Sequence, residues 1–149
     1  MGREIKKGKK RSNINSKRAE RAVDVLREGL RGYTVPEFDR GAKSDPDFFE
    51  GLMGFIKSCL KDGRALPAKY RILIHMCILA HTGHLRGLPH YVKTLIEEHG
   101  ASKLEIIEAF ETAMLAGGAP TMIRGLAAIM TYEETDKQKT LPSRRKGAS

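Results

Sequence analysis

The stretch Ile72-Leu73-Ile74-His75-Met76-Cys77-Ile78-Leu79-Ala80 places a single imidazole among apolar side chains that, at helical spacing, cover nearly the whole circumference. A helix that is apolar on all sides has to be covered by other elements or by another chain. Pro67 precedes the stretch as a helix-start signal, and a segment with two glycines at residues 82–88 interrupts it. The sequence therefore predicts a central helix followed by a break.

Further helices are predicted on both sides of this one, because apolar residues recur every three or four positions between proline starts and glycine stops. Their predicted extents are Ser16 to about Leu30, Pro46 to Gly63, Pro89 to His99, Ser102 to Gly117 and Pro120 to Met130, with Asp45 as the N-cap before Pro46 and with Ser102 and Glu105 as a capping box. Residues 33–44 mix Gly, Pro, Asp and Lys without periodicity, so we expect a loop there. No segment reads as a credible strand. The fold class is therefore all-α, with about six helices.

The formal net charge of +9 is concentrated at the two ends of the chain. Residues 1–18 carry +7 and residues 136–149 carry +4, which leaves −2 for the rest of the sequence. A length of 149 residues suits one hydrophobic core. We therefore expect one domain at residues 16–135, with disordered basic tails at 1–15 and 136–149. Nucleic acid is an unlikely partner, except for weak binding of polyanions through these tails.

The apolar runs are too short for a membrane span, and the N-terminus lacks the apolar stretch of a secretion signal. Cys59 and Cys77 lie in apolar helical segments, without the spacing of a metal knuckle or of a disulfide framework. We expect both to be buried thiols in a reducing compartment. The sequence thus predicts a cytoplasmic protein that does not associate with membranes.

Four histidines fall within sixteen residues around the break, at positions 75, 81, 84 and 90. His81 and His84 could share a metal ion, but the glycine break lies between them and no carboxylate is close in sequence. We therefore predict no metal and no cofactor. His75 is expected to be a hydrogen-bonded core residue. Arg71 and Arg124 lie in apolar helices, where a charge must be paired or line a cavity, and pairing with a carboxylate is the preferred interpretation.

Three stretches together resemble the carboxymuconolactone decarboxylase and alkylhydroperoxidase D superfamily, over roughly residues 18–133. They are Pro67-Ala68-Lys69-Tyr70-Arg71, Gly100-Ala101-Ser102 followed by the acidic helix from Glu105 to Phe110, and Gly117-Gly118-Ala119-Pro120. The resemblance implies an alkylhydroperoxidase D-like helical bundle. It also implies a homo-oligomer, a trimer or a hexamer, with sites near subunit contacts.

Members of this superfamily that reduce peroxides carry a Cys-x-x-Cys-x-x-x-His motif at the break. With His90 as the motif histidine, the cysteine positions are Gly83 and Arg86 in this chain. Moving the register by one residue places His84 and Gly87 there instead. Peroxide reduction needs a thiolate and a second thiol that resolves the sulfenic acid. We therefore expect no thiol peroxidase activity.

The decarboxylase branch also lacks the cysteine pair and is similar to this chain in using a histidine after the break. That role falls to His90, with Arg86 as a second catalytic residue and with Arg71 and His84 as ligand-binding residues. The sequence contains no Trp, whereas that branch has a Trp-containing segment before the buried helix. The hypothesis is a decarboxylase or a protein that binds a small acidic ligand.

The alternative hypothesis is a non-catalytic oligomeric helical module with a degenerate site. The segments expected to form the subunit interface are residues 67–80 and 102–115, because six short helices would struggle to cover so apolar a central helix.

Overall fold

The computed structural model describes residues 17–30 and 33–140, which form seven helices and no strand. The helices are α1 (residues 17–29), α2 (Pro36–Ser44), α3 (Pro46–Leu60), α4 (Ala68–Thr82), α5 (Leu88–His99), α6 (Lys103–Gly117) and α7 (Ala119–Thr140). They belong to two compact units, divided in sequence between Lys61 and Asp62. The predicted all-α class is confirmed, and the expected single domain at residues 16–135 stays a prediction.

The first unit contains α1, α2 and α3. Leu26 of α1 and Met53 of α3 are fully buried at its centre, and the half-buried Phe38 and Phe49 pack against that core. The two rings meet edge to face with centroids 6.1 Å apart. This arrangement is favourable because the positive edge of one ring meets the negative face of the other.

The prediction of a loop at residues 33–44 is wrong, because residues 36–44 form α2. Pro36 begins the helix, acidic side chains occupy its first turn, and Lys43 lies in its last turn, which suits the helix dipole. Ala42 is completely buried, and Phe38 reaches the aromatic residues of α3. Phe38 and Ala42 are four positions apart and share one face of this nine-residue helix, and these tertiary contacts stabilise it.

The second unit contains α4 to α7, with α4 and α7 each packed against the other three helices. Met76, Leu95, Ile106 and Phe110 are fully buried in its core. Gly125 of α7 faces the ring of Phe110 so closely that an added Cβ atom would overlap the ring. The approach of α6 to α7 therefore depends on a glycine at this position.

The predicted N-caps of two helices are confirmed. Asp45 accepts a hydrogen bond from the backbone N–H of Phe48 at 3.1 Å, and Ser102 and Glu105 form the reciprocal capping box at the start of α6. At its other end α7 continues through residue 140, so residues 136–140 of the expected C-terminal tail are helical. Residues 1–16 and 141–149, which carry the predicted polyanion-binding groups, lie outside the described residues.

Only one side of α4 is buried. Ile72, Met76 and neighbouring residues face the core, whereas the exposed fractions of Tyr70, Ile74 and Ile78 are 50%, 51% and 54%. These three follow one another at intervals of four, so they form a stripe along a single face. The helix therefore lies against all the other helices of its unit and still presents apolar side chains to solvent. None of the described helices is long and apolar enough to span a membrane.

Candidate functional site

The candidate site is built around the break between α4 and α5. Gly83 ends α4 in the left-handed conformation, with φ of +82°. The backbone N–H groups of Gly83 and His84 both donate to the carbonyl oxygen of Leu79, that of His84 at 2.9 Å. This is the usual way to end a helix with a glycine, because a Cβ atom is strained at positive φ. The chain can then turn sharply into the loop.

Arg124 of α7 completes the end of α4. Its Nη1 atom donates to the carbonyl oxygens of Ala80 at 3.1 Å and of His81 at 3.2 Å. These carbonyls belong to the last turn of α4, where they have no partner within the helix. The preferred pairing of Arg124 with a carboxylate is therefore corrected, because the guanidinium binds backbone oxygens instead.

The predicted site residues His84, Arg86 and His90 all lie at this break. His84 is exposed, and its Nδ1 atom lies 2.9 Å from Oγ1 of Thr82. Arg86 is exposed in the loop, and His90 is half-buried in the first turn of α5. The structure thus brings three of the four predicted residues to one short segment of the chain.

The fourth predicted residue, Arg71, lies at the other end of α4. Eleven residues separate it from Thr82 in the helix, which is roughly 16 Å along the axis at about 1.5 Å per residue. Its guanidinium lies near Gly63, in the loop that precedes α4. In the same turn of α4, Lys69 forms an ion pair with Glu105 at 2.6 Å. Arg71 therefore does not share the segment that carries the other three.

The rings of His90, Tyr91 and His75 form a series of contacts from the first turn of α5 to α4. The centroids of His90 and Tyr91 are 5.8 Å apart, and those of Tyr91 and His75 are 5.0 Å apart, each pair meeting edge to face. Burial lowers the pKa of His75, so its imidazole is neutral at pH 7. His75 accordingly packs as an uncharged, half-buried ring against Tyr91, and this ring contact replaces the hydrogen bond that was expected for it.

The two cysteines are half-buried, less than the complete burial that we predicted. Cys77 donates a hydrogen bond from Sγ to the carbonyl oxygen of Ala109 at 3.4 Å, and burial raises the pKa of its thiol. A thiol with a raised pKa forms little thiolate at neutral pH. Cys77 therefore has the character of a packed core thiol and not of a redox nucleophile.

The region of the break is strongly biased towards positive charge. No Asp or Glu occurs in the sequence between Asp62 and Glu97, a stretch that includes all of α4 and the start of α5. The first turn of α5 has no acidic side chain, and Gly87 offers it no side-chain cap. In the described part of the chain, no three His, Cys, Asp or Glu residues are grouped so that they could hold a metal ion. The segment around the break therefore carries more basic than acidic side chains.

Two apolar depressions lie in the second unit. The first, here called the α5–α7 cavity, has a volume of about 380 Å³ and is lined by Leu85, Leu88, Pro89, Ile123, Arg124, Ala127, Ala128 and Thr131. The second, called the α4–α6 groove, has a volume of about 350 Å³ and is lined by Leu73, Ile74, Cys77, Ile78, Ala109, Thr112 and Ala113. Neither lining includes His84, Arg86, His90 or Arg71, so the predicted residues flank these depressions and do not enclose them.

Arg124 is the residue whose role at the break the sequence did not reveal. Two signals were present, namely a charge on an otherwise apolar helix and a preceding helix whose last carbonyls need donors. They could not be connected, because Arg124 is more than forty positions from those carbonyls.

Comparison with known proteins gives one match. The sequence profile of the carboxymuconolactone decarboxylase family matches residues 46–130, more than half of the chain. No curated protein and no solved structure matches the chain significantly. The matched range includes the break and all three histidine and arginine residues placed there. The chain belongs to the carboxymuconolactone decarboxylase family.

Proposed function

We propose that this protein binds a small acidic ligand at the break between α4 and α5. The observation that supports the proposal is the stretch without Asp or Glu between Asp62 and Glu97, which includes His84, Arg86 and His90. A segment that carries basic and no acidic side chains favours a positive local potential, which concentrates anions. The uncapped N-terminus of α5 adds its own positive dipole end at the same place.

Thiol peroxidase activity is not part of this proposal. With His90 as the motif histidine, the first position of the dithiol motif is Gly83, whose φ of +82° a cysteine could adopt only with strain, and the second is Arg86, which has no thiol. In the alternative register, His84 and Gly87 likewise have no thiol. Cys59 and Cys77 are both free thiols, which is typical of a reducing compartment, and we therefore place the protein in the cytoplasm.

A more specific form of the proposal is that the protein decarboxylates this ligand. Loss of carbon dioxide leaves an electron pair on carbon that must accept a proton, and stabilisation of the substrate carboxylate requires a cation. His90 is the proposed proton donor, because it is half-buried on the first turn of α5. Arg86 is the proposed cation, four positions earlier on the exposed loop.

The test is an NMR titration of the ¹⁵N-labelled full chain with benzoate, succinate and a carboxylated γ-butyrolactone. We expect the largest amide shifts within residues 83–91, and weaker binding in the triple variant His84→Gln, Arg86→Gln, His90→Gln. Arg64→Gln, at an exposed loop position, is the matched control. Shifts spread evenly over the surface, or equal affinity in the triple variant and in wild type, would contradict the proposal. Release of carbon dioxide from the lactone acid would establish the decarboxylase activity.

The second candidate function is a homo-oligomeric module, a trimer or a hexamer. The observation that favours it is the α4–α6 groove, because Ile74 and Ile78 line it and are each about half exposed. Exposed apolar surface of this kind is typical of subunit interfaces.

Sedimentation of wild type against the double variant Ile74→Lys, Ile78→Lys tests the oligomer. We expect wild type to sediment as the oligomer and the variant as smaller species, whereas Phe55→Lys, at an exposed apolar site on α3, leaves assembly unchanged. A wild-type monomer at micromolar concentration would refute this candidate.

A further inference from the structure

The α5–α7 cavity combines an apolar interior with one fixed cation. Leu85, Leu88, Ile123 and Ala127 are among the side chains that form its walls, and Arg124 is the charged residue in its lining. Its volume of about 380 Å³ is near the lower end of the range of roughly 300–1,000 Å³ in which small-molecule sites occur. A ligand that fills it must therefore be compact.

The guanidinium of Arg124 is held in place from one side only. Its Nη1 atom donates to the carbonyl oxygens of Ala80 and His81, which fixes the plane of the group. In the described part of the chain, no carboxylate pairs with Arg124 and no acceptor is within hydrogen-bond distance of its Nε and Nη2 atoms. These donors form the planar fork that binds a carboxylate through two parallel hydrogen bonds.

The first residues of α5 support an anion in the same cavity. Leu88 and Pro89, which begin that helix, form part of the lining. The peptide dipoles of α5 therefore direct their positive end towards the space beside Arg124.

We propose that the α5–α7 cavity binds a monocarboxylate with a compact apolar body, with Arg124 as the anchor of its carboxylate. The inference rests on the proposed function, since it assigns the ligand class and names a binding residue on α7. The apolar body packs against Leu85, Ile123 and Ala127, and the carboxylate accepts hydrogen bonds from the free side of the guanidinium. Arg86 then contributes positive potential from the loop and not direct contact.

Calorimetric titration of the full chain with three probes tests the ligand class. Benzoate has the charge and the apolar body, benzamide has the same shape without the charge, and acetate has the charge without the body. We expect benzoate to bind at least tenfold more tightly than either of the others. Equal affinity for benzoate and acetate, or for benzoate and benzamide, would overturn the assignment.

Two variants test the location. Arg124→Gln removes the charge and keeps an amide donor for the carbonyls of α4, and Ala127→Leu fills the cavity and keeps the guanidinium charge. We expect each to weaken benzoate binding at least tenfold, while the matched controls Arg64→Gln and Ala116→Leu, both at exposed positions, leave it unchanged. The cavity-filling variant keeps the test decisive if Arg124→Gln does not fold.

The outcomes separate this inference from the proposed function. If benzoate binds and only Arg86→Gln or His90→Gln weakens it, the ligand lies at the loop, so the inference is wrong and the proposed function stands. If neither benzoate, succinate nor the lactone acid binds, both are wrong. Loss of binding in both Arg124→Gln and Ala127→Leu supports the inference, and weaker benzoate binding in the triple variant His84→Gln, Arg86→Gln, His90→Gln is required for the proposed function to stand as well.

Discussion

The C-terminal end of α4 and the N-terminal end of α6 are secured in different ways. The end of α6 is closed locally, by Ser102 and Glu105, which are three positions apart. The end of α4 is closed by Gly83 together with Arg124, which comes from a different helix. A local cap stabilises one helix, whereas a distant cap also fixes where a second helix lies. At α4 the distant cap also places a cation beside a cavity.

Loss of the distant cap, Arg124, should lower the free energy of unfolding most. Arg124→Leu leaves the carbonyl oxygens of Ala80 and His81 without their donor, and an unsatisfied buried acceptor costs about 1–3 kcal/mol. Ala80 is completely buried, while His81 is exposed and can bind water. We expect the free energy of unfolding to decrease by about 2 kcal/mol, measured by urea denaturation. Arg124→Gln should cost less, and equal losses in the two variants would argue that the carbonyl contacts are not the cause.

Gly83→Ala should have the next largest effect. Alanine at φ of +82° suffers a steric clash between Cβ and the backbone, which costs about 1–2 kcal/mol. Gly54→Ala is the matched control, since Gly54 is exposed within α3 and open space surrounds its Cα atom. There, alanine should stabilise the protein by about 0.5–1 kcal/mol. The two substitutions should therefore shift the melting temperature in opposite directions, and a shift of the same sign in both would contradict this account.

The same contrast explains how much of the fold could be predicted from sequence. The caps at Asp45 and at Ser102 were predicted because their donors and acceptors lie within three residues. The helix α2 was missed, because only Phe38 and Ala42 mark its apolar face, and its stability comes from the burial of Ala42 and from the contact between Phe38 and Phe49. Local signals thus gave most helix boundaries, and tertiary contacts decided the rest.

The candidate site divides in the same way. His84, Arg86 and His90 could be placed together because they are neighbours in sequence. Arg71 was grouped with them on chemical type alone, and the structure has it near the other end of α4. Arg124 lies at the break only because α7 packs on α4. Its position there depends on a contact between distant parts of the chain.

Loss of the local cap of α6 should have a moderate effect. Ser102→Ala removes the Oγ acceptor that binds the backbone N–H of Glu105 at 3.1 Å. Such substitutions cost about 1 kcal/mol, because the N–H group at the helix end loses its partner. Ser58→Ala in the exposed part of α3 is the control, since its hydroxyl only binds a carbonyl within its own helix. We expect little change or slight stabilisation there, and an equal loss in both variants would refute the role of the cap.

Loss of the negative charge of Glu105 should change the free energy of unfolding least, and this change should depend on pH. The hydrogen bond from Lys69, followed by that from the backbone of Ser102, lowers the pKa of Glu105. A carboxylate whose pKa is lower in the folded state stabilises the protein above its ordinary pKa of about 4.3, and this contribution is lost as the pH falls through the lower folded value. Glu105→Gln keeps a side chain that can complete the capping box and removes the charge.

We therefore expect the stability of wild type to fall more than that of Glu105→Gln between pH 7 and pH 3, measured by urea denaturation at each pH. The difference should be small, because the pair is partly exposed and screened by solvent. Glu111→Gln, at an exposed position on the same helix, should retain the wild-type dependence on pH. The substitution Lys69→Met supplies the final check. It should reproduce the reduced acid sensitivity of Glu105→Gln, because the lysine is the main cause of the lowered pKa. An unchanged pH profile in Lys69→Met would show that the backbone N–H of Ser102, and not the ion pair, sets the titration of Glu105.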